Sequence, residues 1–354
     1  MRTLEELLKS AVDQQAADIF VVSGAPVSGK LNRSIIPLDD EMVKPESAKV
    51  LIQSIYDTAQ REMTKLLHTG DDDFSFALPG LARFRVSTYK QRGSLAAVIR
   101  IISFGIPDYR EMGIPDTVMR VAERTNGLVL VTGPAGGGKS TTQACIIDRI
   151  NETRAGHIIT LEEPIEYLHR DKMSIISQRE IELDSENYVT ALRACLRQSP
   201  DVILVGEMRD HETIQTAMTA AETGHLIIST LHTLSAANTI DRIIDVFPPS
   251  QQQQVRIQLS MLLQSVVSQQ LIPTVDGGLA PVFEVMHLNN AIKNMIRESK
   301  IHQIDTAITS GGAEGMISMD GSILDLVRNK KVEKDVAIRF AANPDLMQKR
   351  LAAL

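Results

Sequence analysis

The sequence is poor in several things, and each shortage excludes something. It has no tryptophan and only 4% aromatic residues among 354. Together with a formal charge of −7, that argues against a generic nucleic-acid surface, although a local basic channel stays open. There are two cysteines, Cys145 and Cys195, far apart in helical patterns. They have no metal-ligand spacing, so a disulfide framework is not expected and a reducing cytoplasm fits. No apolar stretch is long enough to cross a bilayer, and Met1-Arg2-Thr3-Leu4-Glu5-Glu6 does not read as a signal peptide. There is no internal repeat. The one biased tract, 251–254, is four glutamines that read as the polar start of a helix.

What is present is enough apolar sequence, 43%, for well-packed domains, and a length that favours two of them. Residues 1–102 read as a mixed α+β domain. Leu4, Leu7, Leu8, Ala11 and Val12 recur at helical spacing. Pro45 to Leu67 reads as helical, and Phe74 to Leu78 and Ala82 to Ser87 alternate like strands of a half-exposed sheet, turned by Pro79-Gly80. Residues 103–116, with Gly105, Pro107, Gly113 and Pro115, read as a linker. From 117 to 354 buried strand runs (128–131, 157–161, 202–205, 226–229) alternate with helices, the pattern of a parallel sheet wrapped by helices. The tail from Pro248 reads as mostly helical.

Gly133-Pro134-Ala135-Gly136-Gly137-Gly138-Lys139-Ser140, followed by Thr141, has the G-x-x-x-x-G-K-[ST] spacing between a strand run and a helix run. The glycines let backbone amides turn inward around a phosphate at a helix N-terminus. Lys139 can reach the β and γ phosphates, and the Ser140 hydroxyl can ligate Mg²⁺. A near-copy, Gly24-Ala25-Pro26-Val27-Ser28-Gly29-Lys30, ends in Leu31 and runs on into Asn32-Arg33-Ser34-Ile35-Ile36-Pro37. It lacks the hydroxyl and the helix, and reads as a turn between two strands.

Three clusters follow at predicted strand ends, where an open parallel sheet places its site. Thr160-Leu161-Glu162-Glu163-Pro164-Ile165-Glu166-Tyr167 carries three carboxylates able to activate water or hold a metal, or else forms a solvated acidic loop. Asp201-Val202-Ile203-Leu204-Val205-Gly206-Glu207 has glycine at the usual aspartate position, so Glu207 must supply charge for Mg²⁺, directly or through water. Thr223-Gly224-His225-Leu226-Ile227-Ile228-Ser229-Thr230-Leu231-His232-Thr233 frames one strand with two histidines, a candidate phosphate sensor. Zinc does not suit it, for no further ligand lies at the right spacing. Arg83, Arg85 and Arg100 stand in the first domain's strands, either as a solvated face or as arginine fingers for a neighbouring subunit's γ-phosphate.

These motifs in this order resemble the type IV pilus retraction ATPases, the PilT group of secretion ATPases, along nearly the whole chain. The run Ala291-Ile292-Lys293-Asn294-Met295-Ile296-Arg297-Glu298 is similar to a helix of the retraction members. The resemblance implies an α/β protein: a PAS-like α+β domain, then a RecA-like P-loop ATPase domain with a helical C-terminal region. It implies a homohexamer hydrolysing ATP with Mg²⁺ and working through an inner-membrane, PilC-like platform protein. The chain would sit in the cytoplasm, at the membrane's inner face, with peripheral association only and no nucleic acid. By position, Glu166 resembles the residue that activates water and Glu207 the one that orders Mg²⁺. His225 and His232 resemble the two motif histidines, and Arg83, Arg85 and Arg100 the arginines that contact nucleotide. Glu163 stands where the family often has aspartate, and Ala135 and Gly137 where the loop usually has Thr and Ser. Two cysteines cannot form the four-cysteine zinc element common in assembly and type II secretion ATPases, which favours retraction over extension.

Overall fold

The computed structural model describes residues 2–31, 34–102 and 105–353. Residues 32–33 and the first two residues of the expected linker, 103–104, lie outside them. The chain divides into two compact units: Met1–Gly105 with Glu166–Leu168, and Ile106–Ile165 with His169–Leu354.

The first unit is one antiparallel sheet with helices. Its strands are β1 (Asp18–Val21), β2 (Pro26–Leu31), β3 (Ser34–Met42), β4 (Asp71–Leu78), β5 (Ala82–Gln91) and β6 (Ser94–Ile102). Their order is β3-β2-β1-β6-β5-β4. Period-two alternation decides the faces. On β5, Ala82, Phe84, Val86 and Thr88 are buried, while Arg85 and Ser87 face out. Phe84 stacks on Phe76 with ring centres 5.2 Å apart, and Tyr56 tilts against Phe74 at 4.7 Å. The helix Leu4–Asp13 opens with a Thr3–Glu6 capping box and buries Leu4, Leu7, Leu8 and Ala11. The expected single helix from Pro45 is two, Pro45–Thr58 and Thr64–Thr69, parted where Gln60 takes a positive φ of 52°. Asp72, 2% exposed, accepts both nitrogens of an Arg61 fork, at 3.0 and 2.9 Å, and the Tyr56 hydroxyl at 3.0 Å. Burial alone would raise its pKa. The Arg61 and Tyr56 hydrogen bonds and the Arg61 charge outweigh that and hold it below the usual value.

The second unit is a seven-stranded sheet. The strands are β7 (Gly127–Thr132), β8 (His157–Glu162), β9 (Ile175–Glu180), β10 (Val202–Val205), β11 (Leu226–Leu231), β12 (Leu263–Pro273) and β13 (Leu279–His287). The order is β13-β12-β7-β11-β10-β8-β9. All neighbours are parallel except β12 and β13. Helices cover both faces, so the central strands are apolar throughout. Leu128 and Leu130 of β7 enter one core with Ile203, Val205 and Ile227, while Val129 and Val131 enter the other with Ile158, Leu204 and Ile228.

The tail from Pro248 is mostly helical, as its pattern suggests, but between helix Pro249–Leu262 and the helices that begin at Asn290 it also forms the β12–β13 hairpin. Both faces of these two strands meet packed cores: Val266 and Met286 enter one, Val267, Phe283 and Val285 the other. One expectation is corrected here. The stretch read as a linker belongs, from Ile106 on, to the second unit. Ile114 is buried with Val118 and Ile146, and the Cys145 thiol donates to the Pro107 carbonyl at 3.3 Å. Both cysteines are buried and unpaired. Among the described residues no helix is long and apolar enough to cross a membrane.

Candidate functional site

Because β7, β11, β10 and β8 are parallel neighbours, their carboxyl ends share one edge of the sheet. The glycine loop leaves β7 at that edge and opens helix Lys139–Thr153. Gly133, Gly136 and Gly138 have φ of 143°, 71° and 86°, which L side chains avoid. A Cβ on Gly136 would meet nothing within 4 Å, so the crown of the loop is open. Lys139 is 9% exposed, and its ammonium donates to the carbonyls of Gly133 and Pro134, each at 2.9 Å. Glycine amides, a helix N-terminus and a held cation make a cradle that fits a polyphosphate. Ser140 and Thr141, half-buried, open the helix beside Lys139.

The acids gather at neighbouring strand ends. Glu207 follows β10, and its Oε2 lies 2.7 Å from Arg209 Nε and 3.5 Å from His232 Nε2 at the end of β11. Gly206 leaves little room for a side chain: a Cβ there would stand 2.8 Å from the Tyr188 hydroxyl and 3.1 Å from the Leu161 carbonyl oxygen. An aspartate there would have to displace Tyr188, and the carboxylate of this strand end stands one residue on, at Glu207. At the last residue of β8, Glu162 accepts from Thr160 Oγ1 at 2.7 Å and Gln178 Nε2 at 3.3 Å. Desolvation, then the charges of Glu182 and Glu207, push the Glu163 carboxyl up. The Tyr188 phenol is raised strongly, first by burial and then by Glu163, Glu207 and Glu162. Among the described residues no cluster of three or more His, Cys, Asp or Glu could hold a metal. A magnesium ion held here would rest on Ser140, one carboxylate and phosphate oxygens, which is how that ion is usually bound.

Not every expected residue arrives at this edge. His225 precedes β11 and sits at its opposite end, about 23 Å along the chain from His232 at roughly 3.3 Å per residue. Its Nδ1 lies 2.9 Å from the Ala220 carbonyl, capping the helix His211–Glu222. The two histidines therefore do not share one site within the chain. Ser229 and Thr230 lie near the carboxyl end of β11 at this edge, their hydroxyls donating to the Val205 and Gly206 carbonyls at 2.7 and 2.6 Å. Glu166 is exposed, and its segment Glu166–Leu168 groups with the first unit.

The arginines lie together on the first unit's sheet, on the face away from Phe84 and Val86. Arg83 Nη2 donates to Ser75 Oγ at 2.7 Å. Arg85 stands directly across from Arg100 in the β5–β6 register, and Arg100 Nε pairs with Asp18 at 2.9 Å. Two residues carry no signal in the motifs themselves: Tyr188, against Gly206, and Gln269 of β12 beside the loop, whose carbonyl oxygen lies 2.1 Å from where a Gly133 Cβ would be. The signal for β12 was available, since Asp276-Gly277 between two β-branched runs is a hairpin turn.

A parallel sheet with helices on both faces and a glycine loop at its carboxyl edge defines an α/β protein built around a phosphate-shaped cradle. Residues 1–302 match the family model described as Type II/IV secretion system protein. The chain is 42% identical to the type IV pilus retractation ATPase PilT of Pseudomonas aeruginosa, over 97% of this chain and 99% of that one. It is 44% identical to the twitching motility protein of Neisseria gonorrhoeae, over 91% of this chain and 84% of that one. It superposes on a crystal structure of the pilus retraction motor PilT with bound ADP at a TM-score of 0.91 and 41% identity, covering 99% of this chain and 100% of that one. The chain belongs to the type II/IV secretion system protein family, in its PilT group.

Proposed function

We propose that the chain is an ATP-hydrolysing motor that powers type IV pilus retraction, and with it twitching motility. The observation that carries this is the common edge of four parallel strands, which brings Lys139, His232, Glu207 and the Glu162–Glu163 turn to one side of one sheet. In this reading the first unit is PAS-like and the second RecA-like with a helical C-terminal region. Residues 133–141 hold the phosphates of ATP, with Lys139 leaving the loop carbonyls for phosphate oxygens. Ser140 and Glu207, the latter through water, hold Mg²⁺, which would neutralise charge developing on the phosphates. His232, within ion-pair reach of Glu207, senses the terminal phosphate. Glu166 activates the attacking water. His225 has a helix-capping role instead.

Arg85 and Arg100 face each other with like charge, which costs stability unless an anion answers them. Asp18 answers in part, and a nucleotide phosphate, within or across subunits, would complete it. Arg83 is the third member of this set. A homohexamer acting on an inner-membrane, PilC-like platform protein, from the cytoplasmic face and with peripheral association only, is the assembly this motor needs. Phosphate release by the purified chain tests the site. Lys139→Ala and Glu207→Gln should each cut it by at least about 100-fold. Full turnover in both variants would refute the assignment. Gene deletion tests the direction: surplus surface pili without twitching supports retraction, and loss of pili supports assembly instead.

A further inference from the structure

The glycine loop has a wall that its own motif does not supply. Gln269, in mid-β12, is 3% exposed. Its carbonyl oxygen lies 2.1 Å from the Cβ position of Gly133 and 3.3 Å from that of Gly137. Its Nε2 lies 2.6 Å from the Cβ position of Gly138. Its Oε1 accepts a 2.6 Å hydrogen bond from the Thr142 hydroxyl, and Thr142 is fully buried in the first turn of the loop's helix. One residue back on each strand, Thr132 Oγ1 and Ser268 Oγ meet at 2.9 Å. Both ends of the loop are therefore pinned to one strand.

We infer that Gln269, acting through Thr142, is a positioning residue for nucleotide. It holds the loop and the first helical turn against β12, and so sets the directions of the amides that face phosphate. The inference rests on the proposed nucleotide site. A loop with four glycines orders itself poorly, and an anion site gains affinity when its donors are fixed beforehand. β12 supplies that order from outside the motif. The same strand carries Ile272, which is buried in the core of the C-terminal helices with Met319, Ile323 and Met347. Those helices thus lie one strand from the phosphate loop.

The test is titration of the full chain with a fluorescent ADP analogue and Mg²⁺, with melting of the nucleotide-free protein in parallel. Thr142→Val and Gln269→Leu should each weaken binding about tenfold, as loss of a buried hydrogen bond predicts, and the double variant should be no worse than the worse single. Thr142→Ser keeps the hydroxyl and should stay within about twofold of wild type. Lys139→Ala separates the two claims. If Lys139→Ala abolishes binding while Thr142→Val leaves it unchanged, or lowers only the melting temperature, the clamp is overturned and the site stands. Undiminished binding in Lys139→Ala overturns the site and the clamp with it. Should Gln269→Leu not fold, Gln269→Glu keeps the volume and the acceptor. It sets a carboxylate oxygen beside Gly138 and should weaken binding by more than about tenfold. Unchanged affinity there overturns the inference too.

Discussion

Two segments of this chain carry the same glycine and lysine spacing and do different things. Around Gly24 (φ 91°) the chain turns from β1 into β2, and Lys30 ends exposed in an antiparallel ladder opposite Asp18. Around Gly133 it turns from a parallel strand into a helix, and Lys139 is buried at that helix's first residue. The string alone does not make an anion site. A hairpin satisfies its amides within the ladder, whereas a helix start leaves amides unpaired and pointing at one place. The lesson is that the residues following the loop, rather than those within it, decide its chemistry.

The largest effect should come from the two lysines. Lys139→Ala is expected to lower ATP turnover by at least about 100-fold, and Lys30→Ala to change it by less than about twofold. Equal losses in a phosphate-release assay would erase the distinction between the loops. Next come the glycines. Gly133→Ala drives a methyl into the Gln269 carbonyl at 2.1 Å and should cost more than about 3 kcal/mol in thermal or urea unfolding. Gly24→Ala meets no atom within 4 Å and carries only the left-handed backbone penalty, about 1 kcal/mol.

Acid should separate the two units more gently. Burial pushes the His169 imidazole, in the second unit, down to about 4 from 6.5. A depressed histidine leaves the unfolded chain binding more protons, so its contribution is present above pH 6.5 and is lost as pH falls towards 4. His169→Gln should flatten about 2 kcal/mol of that slope. Glu284 slopes the other way: burial raises it to about 7, so its contribution is present below 4.5 and is lost as pH rises through 7. In the first unit Asp72 is held below 3.8, and that unit should keep the Asp72 contribution until the pH falls under 3.8. Hydrogen exchange across a pH series would follow each unit by its own peptides. A pH slope in the second unit's peptides that His169→Gln leaves unchanged would contradict the assignment.

The smallest effect is expected at Asp18–Arg100. The arginine side chain is 62% exposed, so Asp18→Asn should cost only about 0.5 kcal/mol. A much larger loss of stability would mean that this arginine set is structural and not a site for a partner anion.

Much of the second unit was legible because its signals are local. Four apolar runs of four to six residues, set between helical patterns, announced β7, β8, β10 and β11. Asp276-Gly277 announced the hairpin as well, yet the glutamines of 264 and 269–270 broke the apolar run and hid β12. Tyr188 escaped notice because nothing near it in sequence suggests a phenol over a strand end. The two histidines frame β11 in the sequence, and the extended strand between them holds them at opposite ends of the sheet.

What the sequence determined by itself was the loop, its strand and helix, the faces of β5 and the acid after β10. Each depends on residues within a few positions of one another. What only the tertiary structure decided was which strand lies beside β7, that Tyr188 crowds Gly206, and that Arg85 looks across at Arg100. Those are contacts between segments far apart along the chain, and they are settled by burial and register, which no local pattern encodes.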